Sequence, residues 1–258
     1  MESTDDNWQS VTPVKMPSNW QVNRVAETGS TNADLYTQAQ VGAPSHSALM
    51  ADNQTAGRGR LDRKWEAKAG ANLLLSLLFR SSHVEIKNCQ RVVAVSAVRA
   101  CRKFVDESKI AGEQINLKWP NDLLLDSKKF GGMLSVVDAA QTFIVVGIGI
   151  NLNWAPEYAA KLADFSAESS LTPSLLLSEL LAQINTVEKF SVMDLHNEYL
   201  KSLATLGRLV QVELINGSVV IGRATEIDVD GQLIVETESM RLTINTGDVV
   251  HLRDANHE

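Results

Sequence analysis

Cysteine is scarce in this chain, with only Cys89 and Cys101 among 258 residues, and neither sits in a Cys-x-x-Cys pair. That argues against a disulfide framework and against a cysteine-built zinc site. Both fall in a stretch with helical texture and read as buried free thiols. Histidine offers no better metal chemistry, because His46, His83, His196, His251 and His257 are scattered without ligand spacing. Long apolar runs are missing as well. The stretch Ala71 to Phe79 is far short of the roughly 20 residues that a membrane helix needs. No apolar run follows the acidic start Met1 to Asp6, so neither a secretory signal nor an organellar presequence is expected, and the cytoplasm is the default. An excess of positive charge is also lacking. The net charge of -7 argues against a broad DNA- or RNA-binding surface. Against it the basic cluster Arg58, Arg60, Arg63, Lys64 stands out. No repeat or low-complexity segment is present.

The length suits one large domain and one small one. Residues 1–22, polar and carrying Pro13 and Pro17, read as a flexible tail. The tail is too short for a helix-turn-helix domain. Residues 23–205 form the expected main domain. Ser30-Thr31-Asn32 opens a helix, with Ser or Thr available as N-cap. Ser47 to Asp52 reads as a strand, Gln54 to Gly70 as a long loop and Ala71 to Phe79 as a strand. Ile86 to Phe104 has apolar residues at helical spacing. Strands follow at Ile115–Trp119, Asp122–Leu125, Gly132–Val137 and Phe143–Ile150, with Asp126 to Lys129 as a polar turn. Pro173 to Leu203 reads as two helices broken near Lys189-Phe190-Ser191. Residues 206–258 change texture. Short β-prone runs alternate with turns at Asn216-Gly217, Asp228 to Gly231 and Thr246 to Asp248, which predicts a small β-barrel.

Four constellations can carry chemistry. In Gln54 to Trp65, glycines let the backbone approach a ligand, arginines two apart can grip carboxylate or phosphate, and Trp65 can cover what is bound. A mobile solvated basic loop has the same composition. In Lys118-Trp119-Pro120-Asn121-Asp122, Pro120 ends a strand and fixes a bend. Lys118 there can meet a phosphate and Asp122 can meet Mg²⁺. A plain strand-turn-strand is the alternative. Lys128-Lys129-Phe130-Gly131-Gly132 is either a close approach to something bulky or a solvated hairpin. Gly147-Ile148-Gly149-Ile150-Asn151 clears one face of an apolar strand. It is not a dinucleotide fingerprint, since no third glycine or helix follows.

Taken in order, these motifs resemble the catalytic region of biotin protein ligases from about Glu27 to Leu252. Gly57 to Trp65 match the family's Gly-Arg-Gly-Arg-x-Gly-Arg-x-Trp loop except at Asp62, and Lys118 to Asp122 match its Lys-Trp-Pro-Asn-Asp motif in full. Lys129, Gly147, Gly149, Asn151, Ser30-Thr31-Asn32 and Gln54 also correspond. The resemblance implies an α+β fold: a mixed, mostly antiparallel sheet flanked by helices, of the class II aminoacyl-tRNA synthetase/biotin ligase type, followed by an SH3-like barrel. It also implies a monofunctional ligase without the N-terminal DNA-binding domain of the bifunctional repressors.

The reaction so implied joins biotin to ATP as biotinyl-5′-AMP, with Mg²⁺ as activator, and then passes biotin to a lysine of a biotin carboxyl carrier protein such as that of acetyl-CoA carboxylase. Arg58, Arg60, Lys118 and Lys129 would be catalytic. Biotin would meet Ser30, Thr31, Asn32, Gln54, Gly57, Arg58, Lys129, Gly131, Gly147 and Gly149. ATP would meet Arg60, Arg63, Trp65, Lys118, Asn121, Asp122 and Asn151, with Asp122 on the metal side. Asp62 is expected to alter loop closure. A homodimer through sheet edges is compatible with the family, and no DNA or membrane partner is expected. Lipoate ligases and octanoyltransferases share the wider fold but lack the Gly-Arg-Gly-Arg loop, and the transferases use a cysteine nucleophile. A protein that merely sequesters biotin is disfavoured by intact Arg58, Arg60, Lys118, Asp122 and Lys129.

Overall fold

The computed structural model describes residues 15–82, 85–106, 115–166 and 171–252. A seven-stranded sheet carries the order β1-β2-β3-β7-β6-β5-β4. Its strands are β1 (Gln21–Thr28), β2 (Ser47–Gln54), β3 (Leu73–Arg80), β4 (Ile115–Lys118), β5 (Asp122–Leu125), β6 (Lys128–Val137) and β7 (Phe143–Ile150). Only β1 and β2 pair in parallel, and every other ladder is antiparallel. The expected α+β class is therefore the observed one.

Side-chain alternation assigns the two faces. Leu73, Leu75, Leu77 and Phe79 of β3 join Ile144, Val146, Ile148 and Ile150 of β7 in the main core. This face is covered by α2 (Ile86–Arg102) and α3 (Pro173–Val187), with α4 (Val192–Lys201) packed on α2. The opposite face holds a smaller cluster of Leu35, Ala39, Leu49, Leu78, Phe143 and Val145 under α1 (Thr31–Gln40). Along that face β7 reads Phe143, Val145, Gly147, Gly149, so apolar cover gives way to open floor beyond α1. The helix break near Lys189 also has a local cause, because Ser191 Oγ accepts from Asp194 N at 3.1 Å and starts α4.

The second sheet, β11-β10-β9-β8-β12, is antiparallel throughout. It comprises β8 (Leu209–Glu213), β9 (Val219–Ile227), β10 (Leu233–Glu236), β11 (Arg241–Ile244) and β12 (Asp248–His251), an SH3-like unit with turns where the sequence put them. Its apolar residues Val210, Val212, Ala224 and Val235 are continuous with the main core. Backbone bonds from Leu117 N to Ser202 O and from Ala204 N to Leu117 O, at 2.7 and 2.8 Å, tie the connecting segment to β4. No helix among the described residues is long and apolar enough to cross a membrane.

Two sequence expectations need correction. Lys128 and Lys129 belong to β6, and the turn is made by Asp126 and Ser127, both at positive φ. The expected tail overlaps packed structure: residues 1–14 lie outside the described residues, but Trp20 is 6% exposed and β1 starts at Gln21. Trp20 sits edge-on to Phe79 at 5.9 Å, and its Nε1 donates to Asn185 Oδ1 at 2.9 Å. β1 escaped notice because it is a mostly exposed edge strand with little apolar alternation.

Replacing Trp20 by alanine should therefore cost about 3–5 kcal/mol, as for other buried aromatics, read from the urea midpoint. An unchanged midpoint would restore the loose-tail assignment.

Candidate active site

A cavity of ≈ 280 Å³ opens on the α1 face where the glycines of β7 begin. A built Cβ on Gly147 would lie 2.5 Å from Asn32 Oδ1, and one on Gly149 would lie 2.6 Å from Trp65 Cε2. Only glycine leaves these two side chains their places above the sheet.

One wall is a buried polar chain. Gln54 Oε1 accepts from Thr31 N at 2.8 Å, so the free N–H at the start of α1 is satisfied by Gln54 and not by a Ser30 side-chain cap. Thr31 Oγ1 lies 2.8 Å from Ser76 Oγ, which donates to Asn32 Oδ1 at 2.7 Å. Asn32 Nδ2 in turn donates to Leu134 O at 2.8 Å. Three strands and a helix end are thereby locked around one corner.

The second wall is the glycine-rich loop, folded on itself. Gly59 N donates to Arg63 O at 2.7 Å and Trp65 N to Gly57 O at 3.0 Å, with a bridge between Arg58 and Lys64. The loop tip turns at Leu61, whose φ is 54. The Asp62 side chain lies outside the described residues. The loop is held by the barrel: Arg60 donates to Thr246 Oγ1 at 2.9 Å, to Gly247 O at 3.1 Å and to Asn121 Oδ1 at 3.3 Å, and Arg63 pairs with Asp248. Burial lowers the pKa of Arg60, and the nearby Asp248 and Asp122 carboxylates oppose that shift.

The third wall carries Lys129, whose Nζ is 2.6 Å from Asp122 Oδ1 and 5.9 Å from the Trp65 ring centroid. A bulge decides this placement. In the β5–β6 ladder Leu123 faces Gly131 and Leu124 faces Lys129, which leaves Phe130 as the extra residue. Lys129 therefore shares a face with Gly132, where a built Cβ would lie 3.3 Å from Lys129 Cε. Gly131 turns to the core, 2.7 Å by the same measure from Leu123 Cδ1.

The cavity gathers Ser30, Thr31, Asn32, Gln54, Arg58, Arg60, Arg63, Trp65, Asn121, Asp122, Lys129, Gly147, Gly149 and Asn151, as the sequence predicts. Gly57, Lys118 and Gly131 do not line it. Gly57 supports the base of the loop, and Gly131 is a packing residue. Lys118 is half-buried opposite Asp122 in the β4–β5 ladder, its pKa lowered by burial although Asp122 and Asp248 attract its charge. Sequence reasoning missed Ser76, Tyr158 and Asp248, which also line the cavity, as does Gly132 of the Lys128 to Gly132 motif. Ser76 is the one uncharged polar residue in the Leu-rich β3, a signal that was available. Asp248 carries only a turn signal in the sequence, beside Thr246 and Gly247. Nothing in the sequence marked Tyr158, whose hydroxyl donates to Glu66 Oε1 at 2.9 Å.

Two polar atoms of cavity-lining residues are buried without partners, the donor Trp65 Nε1 and the acceptor Asn151 Oδ1. Such orphans suit a ligand that offers both an acceptor and a donor. Cys89 and Cys101 are fully buried, and burial pushes both thiols up to about 12, far from nucleophilic use. Asp122 is the one residue expected to meet a metal, and its Oδ1 is taken up by Lys129. No group of three or more His, Cys, Asp or Glu suited to an ion occurs among the described residues.

Residues 25–153 match the Biotin/lipoate A/B protein ligase family, and residues 205–252 match the Biotin protein ligase C terminal domain. A biotin--[acetyl-CoA-carboxylase] ligase of Mycobacterium tuberculosis is 36% identical over 92% of this chain and 91% of its own. The bifunctional ligase/repressor BirA of Bacillus subtilis is 28% identical over 85% of this chain and 70% of its own. A structure of biotin protein ligase from Aquifex aeolicus in complex with biotin and ATP superposes with a TM-score of 0.74, at 25% identity, over 91% of this chain and 99% of the other.

Two outcomes test the geometry. If the barrel restrains the loop, Thr246→Val combined with Asp248→Ala should speed tryptic cleavage at Arg60 to Lys64 by roughly 5–30-fold, the effect of 1–2 kcal/mol lost. An unchanged cleavage rate rejects the restraint. His251 has its pKa lowered to about 4 by burial, with help from the Lys118 and Arg208 charges. A folded pKa below the unfolded one means that the neutral ring's contribution is whole above the ordinary value of 6.5 and fades as pH falls toward 4. His251→Gln should flatten the fall of the urea midpoint across that window.

Proposed function

This chain belongs to the biotin protein ligases and is a ligase, and on that premise we propose that it activates biotin with ATP and transfers the biotinyl group to a lysine of a carrier domain. The observation that supports this most is the meeting, in one glycine-floored cavity, of Arg58 and Arg60 from the loop, Asp122 from β5 and Lys129 from β6. In the first step a biotin carboxylate oxygen attacks the α-phosphorus of ATP, the bond to the β-phosphate oxygen breaks, and pyrophosphate leaves with that electron pair. In the second, an acceptor lysine amine attacks the biotinyl carbonyl carbon and AMP departs.

Both reacting groups in the first step are anions, so their approach is uphill in water. Fixed cations remove that barrier by attracting both partners and the charge that builds on the phosphate. Lys129 is suited to this work because Asp122 holds its ammonium in place before any substrate arrives, which avoids reorganisation during reaction. Arg58 serves the same anions from the facing wall. Arg60 lends part of its fork to the ligand while the barrel holds the rest. The polar corner of Thr31, Gln54, Ser76 and Asn32 fits the urea-like head of biotin, which needs both donors and an acceptor. Trp65 closes the apolar side, and Asn151 faces the nucleotide. No protein nucleophile takes part.

Magnesium enters this scheme only with the phosphates of ATP, since Mg²⁺ commonly binds through one or two carboxylates and substrate oxygens. With Asp122 engaged by Lys129, the described residues do not form an ion cage, and no step is assigned to the metal. The acceptor would be a biotin carboxyl carrier domain, and the cytoplasm is where it and ATP would meet. Repressor function is not proposed, as the acidic chain offers no broad basic footprint.

Pyrophosphate release from ATP should require biotin and should not respond to lipoate. Lys129→Ala should slow adenylate formation by about 100-fold or more, and Arg60→Ala should let the adenylate escape before transfer. Release driven equally by lipoate, or full activity in Lys129→Ala, would refute the assignment.

A further inference from the structure

A second cavity of ≈ 280 Å³ lies behind the Asn121 wall, between α2, the Trp119 to Asn121 bend and two turns of the barrel. It shares Arg60, Asn121, Met133 and Leu134 with the first cavity and adds Lys87, Arg91 and Asp230. Arg91 is only 6% exposed. A guanidinium carries five N–H donors and accepts nothing. Its Nη2 donates to Asn88 Oδ1, but Nε and Nη1 are buried and have no acceptor. Buried cationic donors left unpaired are costly, and folded proteins rarely keep them without an ion or water to receive them.

The protein's own carboxylates do not resolve the deficit. Asp230 Oδ1 is 3.1 Å from Lys87 Nζ across the rim. Asp228 and Glu85 act on Arg91 electrostatically, yet neither lines the cavity. His196, which also feels the Arg91 charge, has a buried and unpartnered Nδ1. Around the cavity Arg60, Lys87 and Arg91 outnumber Asp230, so the missing partner has the chemistry of a compact anion with several acceptor oxygens.

The geometry points to a second anion site here, with Arg91 as its base and Lys87 and Arg60 at its rim, that takes a phosphate-type oxyanion. Inorganic phosphate and pyrophosphate share this chemistry. Pyrophosphate is the assigned ligand, and that choice rests on the function proposed above, because the shared wall adjoins the place where the product would leave. The anion site itself does not depend on that function.

The test uses the full chain carrying Arg58→Ala and Lys129→Ala, which remove two of the first cavity's cations. Pyrophosphate and inorganic phosphate are each titrated by calorimetry into this background. Pyrophosphate should bind at one site. Adding Arg91→Leu should weaken it by at least about tenfold, the loss expected for charged hydrogen bonds, and Arg91→Lys should recover part of the loss. Lys87→Ala, at a side chain 58% exposed and safe for folding, should weaken it by several-fold. Binding indifferent to both Arg91 and Lys87 overturns the site. So does an Arg91→Leu variant that melts earlier but binds as before, since that outcome marks a structural arginine only. Equal affinity for phosphate and pyrophosphate overturns the choice of ligand. A failure of biotin-dependent pyrophosphate release would appear separately, in the unmodified enzyme.

Discussion

Cations that share a small cavity repel one another, and the molecule tolerates the crowd because carboxylates are interleaved among them. Asp122 sits against Lys129, and Asp248 sits against Arg63. Each pair keeps a positive group at a chosen point without cancelling the field of its neighbours. The two carboxylates come from different sheets, so the charge balance of the site depends on the barrel's being docked. A catalytic domain alone would keep Asp122 but lose the partner of Arg63 and two of the three acceptors of Arg60.

Steric vacancy is the complementary constraint. Gly147, Gly149 and Gly132 hold the floor clear, and each clearing is used by a named side chain: Asn32, Trp65 and Lys129 respectively. The sheet beneath is rigid because its other face is packed against α2 and α3. Function therefore sits on the open half of a surface whose remaining half is ordinary core. The Thr31, Gln54, Ser76 and Asn32 chain bridges these two regimes, satisfying the start of α1 while presenting polar atoms to the cavity.

Much of this was legible in the residues themselves. The long helix, the strand run from Ile115 to Ile150, the helix break before Ser191 and the barrel turns follow from periodicity and turn chemistry, which act over a few residues. Most of the candidate site was legible too, because family motifs mark glycines and charges whose purpose is local. What escaped was of another kind. A single bulged residue, Phe130, sets Gly132 and not Gly131 beside Lys129. Lys118 carries a motif position and yet does not line the cavity.

The sequence by itself determined the element order, the glycine-cleared strand and the supply of cationic groups, because these depend on neighbours along the chain. Only the tertiary structure decided which cations share a cavity, that Asp248 of the barrel joins them, and that Arg91 is buried with donors to spare. Those outcomes depend on long-range packing and on one shift of register, and no spacing between residues encodes either.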